Sequence, residues 1–248
     1  MQLKYLLLVL YLSPLALAAQ SPVFLSEGKI RFEKTTNLYD QLQEDGDDSW
    51  SELTRKAIPH FKVDYFDLLF TKNKTLYQPG PDNPENNKIP DWISMPENKA
   101  VYSDLENEKS TTQKLVFEQL YLIQDSTRHI RWKITDETRS IAGFSCRRAN
   151  ALIMDSVYVV AFYTDEITTN GGPESFCGLP GMILGVAIPH QHITWFATSV
   201  QAVPVNETDM KIPVKGKKNT KKELNATLSD RMKDWGKQAK RYLLLTEI

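Results

Sequence analysis

The chain has 248 residues, of which 41% are hydrophobic, 25% charged and 10% aromatic, enough apolar side chain for a packed core. This excludes disordered, collagen-like and disulfide-scaffold classes. A formal net charge of −1 gives no overall basic excess to bind phosphate backbones, so nucleic acid is not an expected partner.

Residues 1–18 read as an export signal. Lys4 provides the positive start, Tyr5 to Leu12 an apolar run, and Ala16-Leu17-Ala18 a small-x-small cleavage site. The apolar stretch falls short of the roughly 20 residues a membrane helix needs. Elsewhere the best apolar run, Ala151 to Tyr163, is interrupted by Asp155 and Ser156, so no membrane span is expected in the mature chain. Cleavage near Ala18 leaves one domain, 19–248, periplasmic or secreted.

From Gly28 to Val203 the dominant pattern is alternation with period two. It is clearest at Phe61, Val63 and Tyr65, at Leu115, Phe117, Tyr121 and Ile123, and at Ile130, Trp132 and Ile134. Turn signals separate the runs, among them Pro79 to Pro84, Asn170 to Pro173 and Leu179-Pro180-Gly181. Many strands with polar turns and no helical crossovers imply antiparallel neighbours. The expected fold is mainly β (α+β): a curved antiparallel sheet meander carrying a short N-terminal helix and an amphipathic C-terminal helix. Ser156 to Thr164 is apolar in both registers and belongs at a central position.

Ser49-Trp50-Ser51-Glu52 has the form of a capping box and predicts the short helix, with Pro59 closing it. The acidic stretch Asp40 to Glu52 lacks the alternate ligands of a calcium loop and reads as solvated. Gln78 to Asp91 reads as a long, mobile connection. Near the C-terminus Leu224, Leu228, Met232, Trp235, Ala239 and Tyr242 form one stripe, predicting a single helix that continues through Gly236. Residues 207–248 carry 11 Lys/Arg against 6 Asp/Glu, a basic loop and helix.

No nucleophile elbow, zinc-protease, Walker or dinucleotide motif is present. Leu179-Pro180-Gly181 fits a type II turn. His190-Gln191-His192, if extended, projects both imidazoles from one face about 6 to 7 Å apart, a partial Zn or Cu site needing a third donor. Cys146 and Cys177 stand 31 positions apart and are able either to pair after export or to remain two buried thiols.

Gly178 to Leu184 (GLPGMIL) closely resembles the signature of the bacterial GLPGLI family, with Met182 in place of the usual Leu. Arg139 to Ala149 (RSIAGFSCRRA), Phe162-Tyr163-Thr164 with Glu166-Ile167, and Gly172-Pro173 resemble further blocks of that family in the same order. Cys146 matches a recurring family position, whereas Cys177 has no place in the pattern. The resemblance implies an exported, mostly β-stranded protein of the cell envelope with no established activity. Arg139, Gly143, Cys146, Gly178, Leu179, Pro180 and Gly181 are then expected to shape the fold, Arg139 through a bond to Glu166 or Glu174.

The functional expectation is a non-enzymatic binding module without a cofactor, holding an envelope protein or a hydrophobic ligand on the concave sheet. Tyr158, Phe162 and Trp195 are the candidate lining. The alternative is a metal-binding protein or metal-dependent enzyme built on His190 and His192.

Overall fold

A computed structural model describes residues 24–44, 55–90 and 97–248. The export-signal reading of 1–18 and the capping box of 49–52 lie outside the described residues; of the short helix that box starts, 55–57 are described and helical. Among the described residues no helix is long and apolar enough to cross a membrane.

Among the described residues twelve strands, numbered in chain order, form one sheet in the order β12-β6-β5-β4-β3-β2-β1-β11-β10-β9-β8-β7. The first meander comprises β1 (Gly28–Asn37), β2 (Phe61–Phe70), β3 (Lys74–Pro79), β4 (Glu97–Asp104), β5 (Lys109–Val116) and β6 (Gln119–Ser126). A second meander comprises β7 (Lys133–Ile141), β8 (Phe144–Ile153), β9 (Val157–Thr164), β10 (Met182–Ile188) and β11 (Ile193–Gln201). It returns so that β11 pairs antiparallel with β1. The short β12 (Lys217–Asn219) adds to β6 in parallel.

The order forces curvature. Between β6 and β7 a flat sheet would span about 48 Å at the usual strand spacing of about 4.8 Å. Yet these strands are consecutive in sequence, and the chain from Ser126 to Lys133 reaches about 25 Å at most. The sheet therefore curls, and this connection crosses its covered side, where Trp132 Nε1 donates to Cys177 O at 2.9 Å.

Alternation decides which face is covered. Ile30, Phe32, Phe66, Leu68, Phe70 and Trp195 share one face by register and are buried with Ile167, Phe176 and Leu179 from the segment 165–181. Farther along, Val116, Tyr121 and Ile123 bury Leu224, Leu228, Met232 and Tyr242. Of the last four, Leu224 and Leu228 come from α2 (Lys221–Arg231), Met232 is its C-cap, and Tyr242 comes from α3 (Lys237–Glu247). Thr220 and Glu223 make a reciprocal capping box that starts α2.

Four details differ from the sequence expectation. The C-terminal stripe is two helices, because the chain turns at Gly236 (φ 59°); Tyr242 stacks on Phe117 and Trp235 meets the same ring edge-on. Residues 40–44, the start of the acidic stretch expected to be a solvated loop, lie in a helix, α1 (Leu38–Glu44). The run from Leu115 to Ile123 is a hairpin, Phe117 and Glu118 taking positive φ between Val116 and Gln119 as a type I′ turn requires. The connection after β3 holds a 3-10 turn, Pro84–Lys88, where Asn83 and Asn86 both donate to Val63 O.

Candidate functional site

β3 ends at Pro79, opposite Phe66, whereas β2 continues back to Phe61 and β4 to Glu97. A cavity of about 200 Å³ opens beyond the end of β3, also lined by Leu245 and Ile248. Its floor is the covered sheet face: Lys34 on β1, Asp64 and Phe66 on β2, Asn98 on β4, Lys114 on β5 and Trp195 on β11.

Glu174 organises this floor from above. It is 4% exposed, and its backbone is left-handed (φ 51°), a conformation that costs a non-glycine residue about 1 kcal/mol or more. One carboxylate oxygen accepts from Trp195 Nε1 at 3.2 Å and from Lys34 Nζ at 3.4 Å. The other accepts from Asn98 Nδ2. Lys34 also lies 5.1 Å from the centroid of the Trp195 ring, so cation and indole are held together around one carboxylate. Asn98 Oδ1, by contrast, is buried without a hydrogen-bond donor.

Lys114 is the directly opposed cross-strand partner of Asn98 and is 3% exposed. Its ammonium donates to the carbonyls of Thr246 at 2.5 Å and Leu245 at 3.4 Å, fastening the end of α3 to the sheet. Burial pushes this amine down to about 7, against the opposing field of Glu174. Beside it Arg128 donates to Glu247 O and to Ser175 Oγ, and Ser175 Oγ donates to Ile248 O at 2.9 Å. A buried lysine and a half-buried arginine thus serve the carbonyl end of the helix, where the macrodipole favours positive charge.

Of the three aromatic residues expected to share a cleft, only Trp195 lines the cavity. Phe162 pairs with Gly185, which pairs with Phe196, so Phe162 and Phe196 share the face opposite Trp195. Tyr158, four residues before Phe162 on the same strand, faces that way too, and its hydroxyl accepts from Arg148 Nη2 at 3.4 Å. The period-two rule that predicted the strands also separates these side chains.

His190 lies in a 3-10 turn and is exposed, and His192 is left-handed (φ 53°), so the extended geometry assumed for a shared metal is not present. His192 Nδ1 instead lies 3.5 Å from Asp40 Oδ2 on α1. Among the described residues no three His, Cys, Asp or Glu side chains form a metal-sized group. Cys146 and Cys177 are separate buried thiols rather than a disulfide. Cys146, on β8, approaches Phe144 O at 3.7 Å, while Cys177 approaches Arg128 O at 3.5 Å. Burial pushes Cys146 up to about 12 and raises Cys177 as well, so neither is a ready thiolate.

The signature residues have geometric roles. Ala142 and Gly143 both take positive φ between paired Ile141 and Phe144, a type I′ hairpin. At Leu179-Pro180-Gly181 the hydrogen bond runs from Gly181 N to Leu179 O at 2.8 Å, a γ-turn in place of the expected type II turn, because Met182 N is used by Ile167 O. Leu179 is buried in the main core and Pro180 faces solvent. Gly178 is left-handed (φ 90°), and its N–H donates to Asn170 O at 3.1 Å, closing the loop that carries Glu174. The Arg139 guanidinium lies 4.6 Å from the Phe196 ring centroid and 5.7 Å from that of Phe162, instead of on Glu166 or Glu174.

Sequence reasoning missed Lys34, Asn98, Lys114 and Glu174. A signal was present: in β5 the inward positions are Ser110, Thr112, Lys114 and Val116, so a lysine occupies a parity that ends in a core residue. A long cation at a buried parity needs acceptors, which marks a polar site.

The sheet is similar to part of a solved protein, PNGF-II. One crystal form gives a TM-score of 0.52 at 15% identity, covering 84% of this chain and 33% of that one. A second gives 0.51 at 14% identity, covering 78% and 31%. The chain therefore spans about a third of PNGF-II, and the likeness is one of fold. Among curated proteins nothing matches. Residues 152–185, which hold β9, Glu174, the Gly-Leu-Pro-Gly turn and the start of β10, match a family described as a protein of unknown function (Porph_ging).

Proposed function

We propose that this protein is a non-enzymatic binding module of the bacterial cell envelope that holds a small ligand in the cavity between the sheet and α3. The resemblance to the GLPGLI family and the signal-like 1–18 segment support the location. The observation that carries the binding role is the polar cavity itself. A buried glutamate in a strained backbone is held by an indole, a lysine and an amide, all on the floor of a space large enough for a ligand. Phe66, Leu245 and Ile248 add an apolar wall, so the site pairs a few placed polar groups with hydrophobic surface, as ligand sites do.

The test is native mass spectrometry of the full chain purified from a bacterial envelope fraction. The expected result is a bound mass released on denaturation and absent from a Thr36→Phe variant, which fills the cavity from its floor. A bare chain from the native source, or a bound mass equally present in the filled variant, overturns the assignment.

A further inference from the structure

The balance of charge and hydrogen bonding in the cavity says what kind of molecule it takes, an inference that rests on the binding reading above. Among the described residues Lys34, Lys62 and Lys114 line it together with Asp64, Glu97 and Glu174, and below about pH 7, where Lys114 is charged, that is three cations against three anions. A ligand with net charge would bring an uncompensated ion into a low-dielectric space, which is costly. An overall neutral ligand is favoured.

Two groups on the floor are incompletely used. Asn98 Oδ1 is an acceptor without a donor, in a side chain already bound to the Glu174 carboxylate. Lys114 has three N–H groups, and its acceptors are the two carbonyls at the end of α3. Because Asn98 and Lys114 are directly opposed on neighbouring strands, their Cβ atoms are about 5 Å apart. Asn98 Oδ1 calls for a donor, beside the Glu174 carboxylate; the third N–H of the Lys114 ammonium calls for an acceptor. The volume of about 200 Å³ lies below the roughly 300 to 1,000 Å³ of drug-sized sites.

We propose that the cavity binds a small zwitterion of amino-acid type, its ammonium on Asn98 Oδ1 and Glu174, its carboxylate on Lys114, and its apolar body against Phe66, Leu245 and Ile248. This arrangement satisfies the orphan acceptor and leaves the internal charge count unchanged.

Calorimetry and thermal shift on the full chain at pH 6, where Lys114 is charged, test it with four probes: L-leucine, its methyl ester, N-acetyl-leucine and N-acetyl-leucine amide. Leucine is expected to bind and raise Tm, and the two singly blocked forms to bind at least tenfold more weakly. An Asn98→Leu variant is expected to lose leucine affinity tenfold or more. Should that variant fail to fold, the probe series on the unaltered chain decides alone. Binding of the doubly blocked amide as tightly as leucine overturns the zwitterion while leaving the cavity a binding site. Binding of none of the four also overturns it, and the bound mass from the native source then judges the binding role separately.

Discussion

At Gly181 a single methyl group decides whether the segment 165–181 can return to the sheet. A Cβ there would stand 2.1 Å from Thr164 O, and the backbone φ of 138° is one that residues with side chains rarely adopt. Gly181→Ala is expected to cost about 1 to 3 kcal/mol, read as a lower urea midpoint at unchanged slope. At Gly143, by contrast, nothing lies within 4 Å, so only the left-handed φ of 88° constrains it. Gly143→Asn, a residue that tolerates this conformation, is expected to shift the same midpoint by less than about 1 kcal/mol. The need for glycine at both positions was legible from the signature. The reason differs, steric at one and conformational at the other, and it depends on which strand passes behind.

At the scale of elements, the attachment of α3 to β5 carries a pH signature. Lys114 has an ordinary value of 10.5 that burial lowers to about 7. Between these values the unfolded chain holds a proton that the folded chain does not. This group's contribution to stability therefore rises with pH across that window, by about 1.4 kcal/mol per unit, and its full penalty applies below pH 7. Glu174, Lys34, Arg128 and Lys221 act on the same ammonium, so the test is a difference. In urea denaturation from pH 7 to 9.5 the unaltered chain should gain stability relative to Lys114→Met; parallel pH profiles would contradict the assignment. The helices on either side of Gly236 were legible as one apolar stripe because a helix period persists through a break. The break was not, since a glycine within an apolar stripe does not by itself say whether the chain turns there; the turn at Gly236 accompanies the contacts of Trp235 and Tyr242 with the Phe117 ring.

For the molecule as a whole, the two thiols are a check on packing. Cys146, on β8, is fully buried, and Cys177, in the segment 165–181, is 8% exposed. Native protein should therefore react slowly with a thiol reagent and take up two equivalents once denatured, with no mass deficit from a disulfide; rapid native labelling or a two-hydrogen deficit would contradict the structure. Alternation along the chain determined the strands, because side-chain direction in a strand depends only on parity, and polar turns without helical crossovers determined their antiparallel pairing. Composition likewise determined that a core exists. Only the tertiary structure decided that β6 and β7 lie at far ends of the strand order yet are joined by a short link, that β3 stops short and opens a cavity, and that Lys34, Asn98, Lys114 and Trp195 meet Glu174 there. These residues come from five separate segments, and local periodicity contains no term for which segments the curvature of a sheet brings together.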